Sequence, residues 1–87
     1  MNFEKIKPMF ESDEDGFVDF GEVSRNLLGK QTQYGSRYIN GDFGEYPKLG
    51  EGLRIKGSSA DYHFIKIHKD DIDEFYRRYQ EYQKNSA

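Results

Sequence analysis

Six carboxylates crowd the stretch FESDEDGFVDFGEV, Phe10 to Val23, around one Gly-Phe-Val step. That density points first to a hard cation. Calcium loops of the form D-x-[DN]-x-[DN]-G-x5-E wrap Ca2+ in oxygens, with a glycine at the sharp turn and a closing Glu that binds through both oxygens. With Gly16 at the turn, Glu11, Asp13, Asp15, Asp19 and Glu22 fall on ligand positions and Val18 takes the apolar place. Glu11 departs from the pattern, since such a loop opens with the shorter Asp. The surroundings depart further, because the loop belongs between two helices and pairs with a second loop. Here ten residues precede it, Pro8 among them, although Phe3, Ile6 and Phe10 are at helical spacing, and no second loop of this form occurs in the chain.

Two of the same carboxylates have a competing use. Asp19-Phe20-Gly21-Glu22 has the form of a capping box, in which Asp19 accepts a helix N–H and Glu22 reaches back to the N-cap N–H. The entry and cap of the first helix is the preferred assignment for Phe17 to Val23, which leaves Glu11, Asp13, Glu14 and Asp15 as an acidic leader.

Other reactive side chains form no catalytic pattern. His63 and His68 are five apart on a predicted strand and so face opposite ways. Ser58-Ser59 has no positioned base, and no glycine-rich loop ends in Lys-Ser or Lys-Thr. Asp70, Asp71, Asp73 and Glu74 open a helix, where its dipole favours acids. Cysteine is absent, which removes disulfide scaffolds and thiolate chemistry. The expectation is a non-enzyme without a cofactor.

The elements that must position these residues are short. Phe20 to Leu28 reads as a helix with Phe20, Val23, Leu27 and Leu28 on one face, stopped by Gly29. A second short helix is predicted from Thr32 to Asn40 and is stopped by Gly41. Gly35 in its middle costs about 1 kcal/mol relative to Ala, and its expected use is to let two helices approach closely. Residues 41–52 hold four Gly and one Pro and read as a loop. LRIK (53–56) and HFIKIH (63–68) read as the strands of a β-hairpin around the turn-rich GSSADY. KDDIDEFYRRYQEYQK places Ile72, Phe75, Tyr76, Tyr79 and Tyr82 at helical spacing. Phe75 and Tyr79 are expected in the core, with Tyr76, Tyr79 and Tyr82 forming a stripe. The organisation is an acidic leader (1–16), one folded domain (17–84) and a disordered tail (85–87).

Composition bounds the function classes. At 87 residues the chain is one small domain. Hydrophobic residues make up 34%, but seven Phe and seven Tyr supply rings for a core, so disorder throughout is not expected. No apolar run is long enough for a membrane span or a signal peptide, and the expected compartment is the cytoplasm. The net charge of −3 is unevenly spread. Residues 1–22 carry seven acids and two bases, residues 23–69 eight bases and four acids, and residues 70–87 five acids and three bases. A basic middle between acidic ends is compatible with phosphate binding, because the field of one face is what a polyanion meets.

The order helix, turn, helix, link, hairpin, helix resembles the winged-helix DNA-binding domains of the excisionase and MerR-like group. The likeness covers about residues 17–80 and rests on FVDFGEVSRNLLGK, SRYINGDFGEYPKLG and IKIHKDDIDEFYRRY. Gly35, a longer link and a hairpin loop without a basic tip depart from the group's pattern. The resemblance implies an α+β fold, a small winged helix-turn-helix with two short helices, a β-hairpin wing and a C-terminal helix. It further implies a sequence-specific DNA-binding protein of a phage or mobile element, excisionase-like or a small transcriptional regulator. The helix 32–40 would enter the major groove. Gln31 and Gln33 would pair with adenine and Arg37 with guanine, while Lys30 and Thr32 fix the backbone. Arg25, Arg54, Lys56 and Ser58 would contact phosphates. The expected partner is double-stranded DNA, joined by a second copy of the chain or a recombinase. The alternatives are an acidic protein-interaction module that mimics nucleic acid to inhibit a basic partner, and the calcium-binding EF-hand-like reading.

Overall fold

The computed structural model of the chain describes residues 10–41, 46–57 and 64–86. Ser58, His63, the tip of the predicted hairpin and the spacing of Phe3 and Ile6 lie outside the described residues.

The fold is a small α+β arrangement of helices against a three-stranded antiparallel sheet. Strand β1 (Phe17–Asp19) leads directly into helix α1 (Phe20–Val23), which continues as a wider π-helical turn over Ser24–Leu28. Helices α2 (Thr32–Gly35) and α3 (Arg37–Asn40) follow, then strands β2 (Ile55–Lys56) and β3 (Lys66–His68). A 3-10 turn (Lys69–Asp71) opens the last helix, α4 (Ile72–Ser86). The expected first helix, the antiparallel strand pair and the closing helix are all present. The predicted helix 32–40 is divided at Ser36 into two single turns. Helix α4 runs on to Ser86, past the expected end at Lys84, so Asn85 and Ser86 are helical rather than part of a tail.

The expected entry into the first helix, Phe17–Asp19, takes the form of strand β1, and the helix starts at Phe20 as expected. Strand β3 lies between β1 and β2, with Val18 and Ile55 both opposite Ile67. Side chains directly opposite in a ladder share a face, so Val18, Ile67 and Ile55 form the inner face, on which Val18 and Ile67 are fully buried. Phe17, Asp19, Lys56, Lys66 and His68 take the outer face by the two-residue period of a strand. The first turn of α1 is tied to the sheet where the Phe20 N–H donates to the Ile65 carbonyl at 2.9 Å.

The capping box is also corrected. Asp19 is the N-cap residue of α1 by position, but its side chain accepts no N–H from the helix. The Glu22 carboxylate reaches forward, to Arg25 at 3.5 Å and to the Asn26 amide at 3.3 Å. The sheet takes one of the helix's first N–H groups, that of Phe20.

Helix α4 buries Ile72, Phe75 and Tyr79 against the sheet and α1. Phe75 meets Phe20 edge to face, at 5.4 Å between ring centres and 90° between planes, the geometry favoured by aromatic quadrupoles. Each such fully buried ring contributes roughly 1.5–3 kcal/mol relative to exposure. A polar clasp fixes the same helix to the loop before β2. Arg78 donates to the carbonyls of Leu49 at 2.9 Å and Glu51 at 2.8 Å, and its Nε donates to Glu74 at 2.7 Å.

This packing sets a pH dependence and a steric limit. Arg77 and Arg78 donate to Glu74 and hold its carboxyl at about 2, below its ordinary 4.5. A depressed carboxyl contributes stability fully above its unfolded value, and the contribution is lost as pH falls through the folded value. The urea midpoint is therefore expected to drop between about pH 4.5 and pH 2, and Glu74→Gln to flatten that part of the profile; an unchanged profile in the variant would remove Glu74 as its source. Gly35→Ala is expected to destabilise the fold by about 1–3 kcal/mol through overpacking, because its new methyl would collide with Ser24 Oγ. Equal or higher stability of that variant in urea would contradict the packing described.

Candidate functional site

The junction between the π-helical turn and α2 is organised by one buried hydroxyl. Ser24 is fully buried. Its Oγ donates to the Lys30 carbonyl at 2.7 Å and lies 3.3 Å from the Gln31 carbonyl. Its own carbonyl accepts the N–H groups of Gly29 and Lys30. Gly29 makes the reversal in the left-handed region, φ 69°, which glycine adopts without a Cβ penalty. Gly35 then packs directly on the Ser24 side chain, as its expected role required. These contacts set the angle at which α2 leaves α1.

The surface so presented carries several of the predicted DNA-contacting residues. Gln31 is exposed, and Thr32, Gln33, Lys30 and Arg37 are half-buried. Arg25 Nη1 donates to Thr32 Oγ1 at 3.2 Å, so these two act together, with Glu22 alongside. Arg37 lies over the Tyr34 ring at 5.0 Å and the Tyr46 ring at 5.9 Å, and its Nη1 donates to the Tyr46 hydroxyl at 3.4 Å. From Val23 to Gly41 the sequence holds Arg25, Lys30 and Arg37 and no acid.

The cations expected on the hairpin are engaged elsewhere. Arg54 grips Asp71 through Nε at 2.9 Å and Nη2 at 3.2 Å, and its backbone N–H donates to the same carboxylate at 2.8 Å. That guanidinium holds the Asp71 carboxyl below its ordinary value. Lys56 lies 3.6 Å from Asp15 and 4.2 Å from the centre of the Phe17 ring. Lys66 pairs with Asp13 at 3.2 Å. Asp13 and Asp15 of the leader therefore lie against the outer face of the sheet and partly offset the charge of Lys66 and Lys56.

The carboxylates of the calcium template are dispersed by these duties. Asp13 Oδ1 accepts the N–H groups of Asp15 and Phe17, both at 2.9 Å. The Phe17 N–H, followed by Lys66 and the Asp15 N–H, holds the Asp13 carboxyl below its ordinary value. Asp15 turns to Lys56, Glu22 to Arg25 and Asn26, and Asp19 lies across the ladder from Lys66. Among the described residues, no three His, Asp or Glu side chains are grouped to hold a metal ion. His68 serves the fold, where its ring meets Phe17 edge-on at 5.2 Å and its Nδ1 accepts the Asp70 N–H at 3.1 Å.

Sequence reasoning missed a cleft of about 330 Å³ beside the turn, lined by Gly29, Lys30, Gln31, Tyr34, Tyr38 and Tyr46. Tyr38 forms its back wall and meets Tyr46, Tyr79 and Tyr82 edge to face, at 5.0, 5.3 and 5.8 Å. Burial and the neighbouring tyrosines push the Tyr38 hydroxyl above its ordinary value. The spacing of Tyr34 and Tyr38, one helical turn apart, was the available signal. Nothing local in the sequence marks Tyr46 as their partner.

No protein-family model matches the chain, and no curated protein or solved structure is significantly similar to it. Among the described residues no helix is long and apolar enough to cross a membrane. Because Asp13 and Asp15 are committed to lysines and backbone N–H groups, calcium in the micromolar range that loads sensor loops is expected to leave tyrosine fluorescence and the thermal midpoint unchanged. A saturable rise in the midpoint would restore the calcium loop.

Proposed function

We propose that the chain binds double-stranded DNA as a small winged helix-turn-helix protein, excisionase-like or a transcriptional regulator. In this reading α1 and its π-helical turn lie against the backbone, the segment from Lys30 to Arg37 enters the major groove, and the β2–β3 pair is the wing. The observation that carries it is the acid-free segment from Val23 to Gly41, held at a fixed angle by the Ser24 and Gly35 contact. A rigid helix pair with exposed amides and cations suits groove insertion, since amides read adenine and cations fix the phosphates. Gln31 and Gln33 are the base-reading candidates. Lys30 and the Arg25–Thr32 pair are the backbone candidates.

The ion pairs of the hairpin shift weight away from the wing. Arg54 serves the fold through Asp71, and Lys56 reaches a phosphate only by leaving Asp15. Affinity then depends chiefly on the helices. A domain of this size gains specificity through a second copy or a neighbouring protein on the same site.

Anisotropy of labelled random duplex across a salt series tests the reading. Log affinity is expected to fall linearly with log salt, and Lys30→Ala to reduce that slope by about 1. Arg54→Ala is expected to lower stability while leaving the slope unchanged. On a selected site, Gln31→Ala or Gln33→Ala is expected to cost about 1–3 kcal/mol of discrimination. Absence of duplex binding at low salt sinks the proposal, and salt-sensitive binding to a basic protein instead would favour the nucleic-acid mimic.

A further inference from the structure

The tyrosine cleft shares Lys30 and Gln31 with the groove-binding reading, which makes no use of its aromatic walls. Tyr38 belongs to the core, at 8% exposure, and forms a fixed wall. Tyr34 is 45% exposed, although it lies on a short helix whose other outward residues are polar. The Arg37 guanidinium lies over it at 5.0 Å, which restrains the ring in place. Lys30 stands at the rim with its ammonium 5.9 Å from the Tyr38 ring centre. Among the described residues that line the cleft there is no carboxylate.

We infer that this cleft takes one unstacked nucleotide of a single-stranded segment, its base against the Tyr34 ring and its phosphate at the Lys30 ammonium. Three properties select that ligand. Tyrosine faces stack on bases of any sequence, but only where the face of the base is free, and in a duplex both faces are covered by neighbouring pairs. The volume of about 330 Å³ lies at the lower end of the range for ligand pockets, roughly 300–1,000 Å³, which suits one nucleotide and excludes a helix. The segment 23–41, which itself holds no acid, continues from the cleft and offers a polyanion Lys30 and Arg25, the latter beside Glu22. The inference rests on reading this face as a nucleic-acid surface, but not on duplex insertion.

The test uses the full chain and a fluorescein-labelled oligothymidylate of about ten nucleotides, within the usual site size of single-strand binders. Binding is read by anisotropy beside the same measurement on random duplex. Tyr34→Ala is expected to weaken oligothymidylate binding about tenfold, while Tyr34→Phe, which keeps the ring, retains it. Circular dichroism of Tyr34→Ala should match the parent, so that a loss of binding is not a loss of fold. Duplex binding without oligothymidylate binding overturns the inference and leaves the groove reading standing. Oligothymidylate binding that is equal in the parent and in Tyr34→Ala also overturns the inference. Loss of single-strand binding in Tyr34→Ala, with no duplex binding by the parent, upholds the cleft and overturns the groove reading.

Discussion

The hydroxyl of Ser24 fixes the geometry on which the functional surface depends. A buried hydroxyl must find partners or carry a desolvation cost of about 1–3 kcal/mol. Ser24 finds them in the carbonyls of Lys30 and Gln31, while its own carbonyl takes two N–H groups from the turn. Both strands of the reversal are thereby tied to one residue. Gly35 can approach because it has no side chain, and the small pair Ser24 and Gly35 sets how closely α1 and α2 cross. A larger residue at either place would tilt α2 and move Gln31, Tyr34 and the cleft with it.

The second organising constraint is charge. The sheet's outer face carries Lys56 and Lys66, and the leader brings Asp15 and Asp13 to them. These pairs are partly exposed and individually worth little, in the range of about 0–1 kcal/mol. Asp15 and Asp13 partly offset the charge of these two lysines, as Glu22 does that of Arg25 on the helix surface.

The aromatic content is divided in a similar way. Phe20 and Phe75 hold α4 to the sheet, while Tyr38, Tyr79 and Tyr82 form a second cluster at the junction of α3 and α4. Burial raises the hydroxyls of Tyr38 and Tyr79 above their ordinary value, so both rings are held there in the neutral form. Tyr34 lies one turn beyond the cluster and continues it into solvent. A stripe of tyrosines on α4 alone is what helical spacing suggests; the observed cluster gathers rings from three parts of the chain around Tyr38.

Local signals determined much of the frame. The period of Ile72, Phe75, Tyr76 and Tyr79 located α4, Gly29 and Gly41 marked the helix stops, and alternation located β2 and β3. Each of these depends on residues within one or two turns of each other, which a sequence displays directly. Strand β1 has three residues and gains its conformation from pairing with β3 in the far half of the chain, so its period was too short to read. The same holds for the site. The sequence supplied the acid-free run from Val23 to Gly41 and a glycine suited to close packing. Which cations stay available, which carboxylates are committed and which rings line the cleft were decided only by tertiary structure, because an ion pair such as Asp13 with Lys66 depends on distance in space and leaves no mark in local spacing.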